Sequence, residues 1–322
     1  MKSVWILALD DVMDSSLAIT LDLLRAAPAL AAQSRTPVAF DVRVLGARTR
    51  VRTGCGLTLH ADETFRQAVA RGAAPHWVIV PAMGQHGREL ADHLARPDAV
   101  QAMRLLQGLH ARKVRIGASC ASVFLLAEAG LLAQRCATTT WWVAGQFRER
   151  FPGITLDEHR MVVRDGNVLT AGSAFSQLDL MLAVIGDLAG VRVAELCARY
   201  LLIDRRPSQA RYMIAAHSQV HDPLVEAAER WIDDHLGEPI TVAALAGTLA
   251  TSTKSLARKV QAATGLSPIR LIQRRRLMMA THLIETSKLA IDDVAARVGY
   301  RDSTTLRRLM RRDLDTSPSA LR

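Results

Sequence analysis

The chain is predicted to fold as an α/β domain built on a parallel sheet, followed by an all-α domain with two helix-turn-helix units. Three observations predict this. Over the first 200 residues, short β-branched or apolar runs alternate with stretches of helical spacing, the pattern of a parallel sheet covered by helices on both faces. After Pro223 only helical periods remain. Nearly all of the net charge of +10 lies in the last quarter of the chain.

Val4–Leu9 is an unbroken apolar run and reads as the first strand. Leu17–Ala32 carries helical spacing at Leu17, Leu21, Leu24 and Ala27. Phe40–Leu45, Trp77–Val80 and Val114–Ala118 are short β-branched runs, each expected to lead through turn residues into a helix. Met161–Arg164 and Val168–Thr170 flank Asp165-Gly166-Asn167, which has the turn chemistry of a hairpin. A helix is expected from about Ser173 to Leu188 and another near Arg192–Leu201. Together these predict a flavodoxin-like parallel-sheet sandwich over residues 1–203, a linker at 204–222 opening with Asp-Arg-Arg-Pro-Ser-Gln, and a helical domain at 223–322.

The 322 residues, 49% of them hydrophobic, are enough for two separate cores. No run of eighteen or more apolar residues occurs, which argues against a membrane-spanning helix. The N-terminus, MKSVWILALDD, has one Lys and a short apolar run that meets Asp10 and Asp11. Without a small-residue cleavage site it reads as a strand and not as a signal peptide. Cys55, Cys120, Cys136 and Cys197 lie far apart with no CxxC pair. That argues against a metal site or a disulfide framework and for a reducing compartment. A cytoplasmic location without membrane partner, metal or cofactor is the expectation.

From Thr241 to Arg322, 15 Lys and Arg stand against 6 Asp and Glu, whereas residues 1–240 hold 26 basic against 25 acidic groups. A basic segment on a neutral body is the expected footprint of phosphate binding, although a merely solvated face has the same composition. The pattern inside the segment is more telling. Leu256, Arg258, Ser267 and Pro268 recur fifty residues on as Leu306, Arg308, Ser317 and Pro318, and Leu245-Ala246 answers Val294-Ala295 with one residue of slippage. Each unit reads as a short helix, a tight turn and a second helix. In the second unit Ile291–Val298 is the first helix, Gly299 the turn, and Ser303–Arg312 a helix burying Leu306, Leu309 and Met310. The first unit has Ala250 at the turn, a weaker signal. The clusters Arg274-Arg275-Arg276, Arg307-Arg308 and Arg311-Arg312 suit DNA but equally suit exposed helix faces.

Val225–Arg322 resembles the AraC/XylS family. The resemblance rests on Trp231-Ile232-Asp233-Asp234-His235, Leu245-Ala246, Arg276-Leu277-Met278-Met279-Ala280, Gly299-Tyr300 and Ser317-Pro318. Val260 and Met310 replace the family's aromatics and Asp315 its late glycine, changes that touch packing. The resemblance implies two recognition helices on one linking helix, reading successive major grooves of double-stranded DNA roughly 34 Å apart. By position it makes Lys254, Ala257 and Arg258, then Ser303, Thr304, Arg307 and Arg308, the base-reading candidates. Arg258 and Arg308 would each grip a guanine edge, while Lys259, Arg311 and Arg312 would anchor phosphates.

In the first domain, the run Val114–Ala118 leads into Ser119-Cys120-Ala121 and then a helix, Ser122–Ala129. A cysteine at such a turn resembles a nucleophile elbow, and a helix N-terminus would lower its thiol pKa. An ordinary core cysteine is the competing reading. IGASCASVFLLAEAGLLAQRCATTTWW resembles the PfpI/ThiJ-type domain of the class I glutamine amidotransferase-like superfamily, and coupled to an AraC-type tail it resembles the GlxA-like group of regulators. The enzymes of that superfamily pair the elbow cysteine with a downstream histidine and often an acid after the first strand. Here Thr140 holds the histidine position, the acid position falls near Ser16 with Asp14 close by, and Ser122 replaces a glycine. Threonine cannot serve as the base, so the expectation is an inactive amidotransferase-like domain that senses a small effector and dimerises. Asp10, Asp11, Met83, Cys120, Ala121, Thr140 and Trp141 are the candidate pocket residues. The resemblance implies an amino acid or amine as effector, an activator that meets RNA polymerase, and a homodimer. The alternatives are an active cysteine hydrolase or amidotransferase-like enzyme tethered to DNA, a constitutive DNA-binding protein, and an oxidation sensor at an exposed Cys120 thiolate.

Overall fold

The computed structural model describes residues 1–33, 37–204, 206, 208–209, 212–213, 222–264, 266–314 and 317–321, without the side chains of Glu285 and Ala320. The chain divides into two compact units, Met1–Pro207 and Ser208–Arg322. The expected linker at 204–222 falls largely outside the described residues, as does Asp315.

In the first unit the chain runs β1 (Lys2–Leu7), α1 (Asp14–Gln33), β2 (Phe40–Gly46), β3 (Arg50–Arg52), β4 (Thr58–His60), β5 (Glu63–Thr64), α2 (Phe65–Ala70) and β6 (Trp77–Met83). It continues through α3 (Gly87–Ala95), α4 (Pro97–Ala111), β7 (Arg115–Cys120), α5 (Ser122–Glu128), β8 (Cys136–Ala137), α6 (Ala144–Arg150) and β9 (Thr155–Leu156). The unit closes with β10 (Val162–Asp165), β11 (Val168–Ala171), α7 (Gln177–Ala189) and α8 (Val191–Tyr200). Seven strands form one sheet in the order β10-β11-β7-β6-β1-β2-β5, parallel throughout except for β10 at the edge.

The continuous apolar run of β1 is explained by burial on both faces, since alternate residues of a strand point to opposite sides. Val4, Ile6 and Ala8 enter one core with α1, α7 and α8; Trp5, Leu7 and Leu9 enter the other with α2, α4 and α5. The hairpin predicted around Asp165-Gly166-Asn167 joins β10 to β11, with Gly166 at φ +59.

One expectation needs correction. β2 does not lead directly into a helix: β3 and β4 form an antiparallel hairpin first, closed by a turn with Gly56 at φ +87. Strands of three residues are too short to leave a periodic signal. Helix α1 is long and apolar enough by composition to cross a membrane, but Asp22 and Arg25 interrupt its apolar run, as the sequence indicated. In this fold its Leu17, Leu23, Leu24, Ala27 and Leu30 pack into the core shared with α7 and α8.

The second unit comprises α9 (Pro223–Asp234), α10 (Val242–Thr248), α11 (Thr253–Thr264), α12 (Pro268–Thr286), α13 (Ile291–Arg297) and α14 (Ser303–Leu314). α11 and α14 are both twelve residues long and start fifty residues apart, so the repeat read in the sequence is a structural one. The turn residues correspond as well: Ala250 at φ +49 and Gly299 at φ +78 both take the left-handed conformation. Two apolar clusters result. One joins α9, α10 and α11 to Leu271 and Ile272 of α12; the other joins α13 and α14 to Leu277, Ala280 and Ile284 of α12.

Candidate functional site

Both α11 and α14 open with a side-chain cap that satisfies an otherwise orphaned backbone donor. Ser255 N–H donates to Ser252 Oγ (3.1 Å) and Thr305 N–H donates to Asp302 Oδ1 (2.8 Å). α11 buries Leu256, Val260 and Ala263, and α14 buries Leu306, Leu309 and Met310. The other side of each helix carries the candidates. Lys254 and Arg258 are exposed beside a half-buried Ala257; Thr304, Arg307, Arg308, Arg311 and Arg312 are exposed, and Ser303 is half-buried. Positions 254, 257 and 258 correspond to 304, 307 and 308, and the spacing i, i+3, i+4 makes each set a single stripe. Among the described residues, Lys254, Arg258, Arg307, Arg308 and Arg311 have no acidic partner.

Two of the expected phosphate anchors differ. Lys259 Nζ lies 3.1 Å from Asp222, the residue that caps α9, and Arg312 pairs with Asp313 (2.7 Å) while reaching Gln273. Their charges are already met inside the unit. For Lys259 the partner stands 37 residues away, beyond what local pattern can reveal.

The Arg274-Arg275-Arg276 run is neither an exposed face nor part of these stripes. All three are half-buried. Arg275 makes a two-pronged ion pair with Asp233 of α9, its Nε at 2.7 Å. Arg274 faces Glu229, whose carboxyl is pushed up by burial against the pull of Arg275 and Arg274. Arg276 donates to the Gly299 carbonyl (3.1 Å) and the Glu238 carbonyl (2.6 Å), with its guanidinium 5.4 Å from the Tyr300 ring centroid. The Trp231 and His235 rings of the predicted opening motif stack at 4.2 Å, and the last turn of α9 closes on that pair.

In the first unit, Cys120 ends β7 with φ +56, the strained geometry expected of an elbow. Neighbouring groups hold it there. Cys120 N–H donates to Gly172 O (2.6 Å), Thr139 Oγ1 donates to Cys120 O (2.8 Å), and Ser122 Oγ donates to Pro81 O (2.6 Å). Behind it runs a buried relay: Ser119 Oγ to Gln177 Oε1 (2.6 Å), Gln177 Nε2 to Thr20 Oγ1 (2.8 Å), and Thr20 Oγ1 to Ser16 O (2.8 Å).

The thiol itself fits the core-cysteine reading and not the acidic one. Cys120 is only 2% exposed, and burial pushes its pKa up to about 11 against the pull of the Ala121 and Ala174 amides and the Thr140 hydroxyl. Desolvation therefore outweighs the helix N-terminus, and the accessible thiolate that oxidation sensing requires is not formed. Thr140 is fully buried and its hydroxyl, which faces the thiol, lacks a well-formed hydrogen bond. Ser16 Oγ accepts from Ala82 N–H (2.8 Å), while Asp14 takes the Thr53 hydroxyl and the Cys55 N–H (2.8 Å). Asp14 thus serves the β3–β4 hairpin.

Met83 pairs in register with Cys120 and forms a bridge with Val12, so Met83, Cys120, Ala121 and Thr140 are brought together at the carboxyl end of the sheet. Asp10 and Asp11 lie at the same end but are not open carboxylates. Arg48 and Arg96 both pair with Asp10, which also accepts from Arg52 N–H (3.0 Å); Arg96 reaches Asp11 (2.6 Å) and Asp98 (3.3 Å). Trp141 is half-buried and edge-on to Trp142 at 5.3 Å, and Trp142 packs against the core. Two further groups, on segments that follow Met83 and Trp141 in the chain, were not marked by the sequence reading. Gln146 Nε2 donates to Gly87 O (3.1 Å), tying α6 to the segment after β6 that carries Gln85; the Oε1 atoms of both glutamines are buried without a partner. Only the position of Gln85 after a strand end could have signalled this.

Residues 2–187 match the family model described as the DJ-1/PfpI family, and residues 245–322 match one described as a helix-turn-helix domain. The chain is 32% identical over 116 residues to the HTH-type transcriptional activator RhaS of Escherichia coli, covering 34% of this chain and 42% of that relative. It thus spans about two fifths of the length of the curated relatives it matches. Among solved structures, an AraC family transcriptional regulator from Pseudomonas putida superposes with a TM-score of 0.51 at 22% identity, covering 62% of this chain and 100% of that one. DJ-1beta of Drosophila melanogaster gives 0.51 at 18%, covering 63% and 99%. At these identities the two structures speak to the fold of the first unit.

Proposed function

The chain belongs to the DJ-1/PfpI family and joins to that domain an AraC-type helix-turn-helix domain, and on this premise we propose that it is a sequence-specific DNA-binding transcription regulator controlled by a small molecule. The observation that carries the reading is the pair of equivalent exposed stripes, Lys254-Ala257-Arg258 and Thr304-Arg307-Arg308, on capped helices fifty residues apart. Side chains on such stripes can enter two successive major grooves. Arg258 and Arg308 read guanine edges through paired donors, and Arg311 holds a phosphate.

In this reading the DJ-1/PfpI domain is a sensor and a homodimer interface, not an enzyme. The Cys120 thiol, at about 11, is protonated at neutral pH, and Thr140 cannot take its proton. The effector is an amino acid or amine. Gln85 Oε1 and Gln146 Oε1 are buried acceptors without donors, and an amino group is what they lack. Bound effector favours a state that activates transcription through RNA polymerase.

The test is DNA binding by the full chain to duplexes it selects from a random pool, against scrambled duplexes. Arg308→Ala is expected to lose about 1–3 kcal/mol of discrimination at one base position. Arg311→Ala is expected to weaken selected and scrambled duplexes alike. Equal effects of the two substitutions would defeat the assignment. Thermal shift of the full chain with amino acids and amines tests the sensor, and no shift with any of them would count against it.

A further inference from the structure

We propose that Arg276 is the positioning residue that fixes the spacing of the two recognition helices, and so the separation of the two DNA half-sites the protein accepts. The inference rests on the reading that α11 and α14 both contact DNA. Among its described residues the second unit has two apolar clusters and not one continuous core: one stops at Ile272 of α12 and the other begins at Leu277. A single helix joining two cores can bend or twist between them unless something else connects the halves. Arg276 sits between those residues. One nitrogen takes the Glu238 carbonyl, beside the end of α9 in the first half, and the other takes the Gly299 carbonyl in the tight turn of the second half.

The backbones have closed on this contact. A Cβ on Gly299 would press into the Leu236 carbonyl and the Arg276 guanidinium, and one on Gly237 would lie 3.2 Å from the Arg297 carbonyl. Tyr300 covers the guanidinium, and among the described residues no carboxylate shares it. A half-buried cation held by two carbonyls from opposite halves is a directional contact, since a planar guanidinium presents its donors in a fixed fork. Among the described residues, the polar links from α12 to α14 that pair Arg270 with Asp313 and Arg312 with Gln273 are exposed and weak by comparison. Because grooves on one face recur every 10–10.5 base pairs or so, a change in helix spacing reads out directly as a change in preferred half-site separation.

The experiment uses the full chain and the paired motif it selects from random duplexes, with the half-sites at the selected separation, moved by one or two base pairs, or with one half-site scrambled. The wild type is expected to lose about tenfold or more when the separation changes, comparable to a mismatched base pair. Arg276→Ala is expected to reduce that penalty to about threefold or less while binding the single half-site as the wild type does. Arg276→Lys, whose ammonium can still reach a carbonyl, is expected to restore part of the penalty. Retention of the full penalty by Arg276→Ala would overturn the proposal. So would an equal fall in half-site and paired-site binding that Arg276→Lys does not relieve, which is the signature of a folding defect. A wild-type chain that selects no paired motif would overturn the DNA reading first and the clasp with it.

Discussion

Gly299→Ala and Ala250→Gly are expected to move the stability of the helical unit in opposite directions, although they exchange the same two residues at equivalent turns. Both positions lie in the left-handed region, at φ +78 and φ +49. An L-residue there costs roughly 1–2 kcal/mol relative to glycine. Against that, alanine narrows the unfolded ensemble by roughly 0.4–1 kcal/mol relative to glycine. At Ala250 only these two effects compete, so glycine is expected to stabilise by about 0.5–1 kcal/mol. At Gly299 the new methyl also collides with the Leu236 carbonyl and with Arg276, whose Cζ would lie 2.8 Å away. Overpacking of that kind costs about 1–3 kcal/mol, which brings the expected loss to about 2–4 kcal/mol. Denaturant unfolding of the full chain, with secondary structure and tryptophan fluorescence followed together, measures both as midpoint changes at a shared slope. Equal signs for the two substitutions would refute the conformational argument, because the left-handed backbone favours glycine at both turns, and equal magnitudes would refute the added cost of the contacts at the clasp.

Alkylation of the native protein at neutral pH is expected to mark the exposed Cys55 well before Cys120 or Cys197, both buried with thiols pushed up to about 11. Mass spectrometry of digested protein reads this, and faster labelling of Cys120 would show that its burial is not maintained in solution. Burial raises Asp179 from an ordinary 3.8 to about 6, against the pull of Arg206. The folded state therefore holds that proton more tightly, so its contribution favours folding below about pH 4 and is lost as pH rises through about 6, by at most about 3 kcal/mol. Unfolding midpoints of the wild type and Asp179→Asn between these pH values check it; an unchanged slope in the variant would rule Asp179 out as its source.

The layered architecture was legible because burial on both faces leaves β1, β6 and β7 as apolar runs between helical stretches. The internal repeat was legible because Leu256 and Leu306 must be buried and Arg258 and Arg308 must stand opposite them. Chemistry that depends on distant partners was not. The place of Cys120 before a helix suits an acidic thiol and its apolar run suits an ordinary core cysteine, and the desolvation that decides between them comes from a surrounding shell no local window contains. Asp10 and Asp11 looked like ligand carboxylates until Arg48 and Arg96 arrived from other segments. The β3–β4 hairpin was missed because three residues carry too little periodicity to be read.

The same blindness to partners bears on how the charge of the helical domain is to be understood. Its composition suggests that most of fifteen basic residues face phosphate, yet Lys259, Arg270, Arg275 and Arg312 are paired with acids, and Arg274 and Arg276 are half-buried against α9 and the Gly299 turn. On α11 and α14, the five cations without an acidic partner among the described residues are Lys254, Arg258, Arg307, Arg308 and Arg311. If every one of these met a phosphate, the slope of log K against log salt would be about −4.5 per helical domain, and less steep if Arg258 and Arg308 take bases. Titration of binding to a single paired site between about 50 and 200 mM salt measures that slope. A value clearly steeper than about −8 per domain, more than these five and the exposed Arg230, Lys288, Arg297 and Arg301 could supply together, would mean that the partnered arginines are released onto DNA. A scaffold that gives up its own ion pairs on binding could not also be the rigid spacer between two grooves.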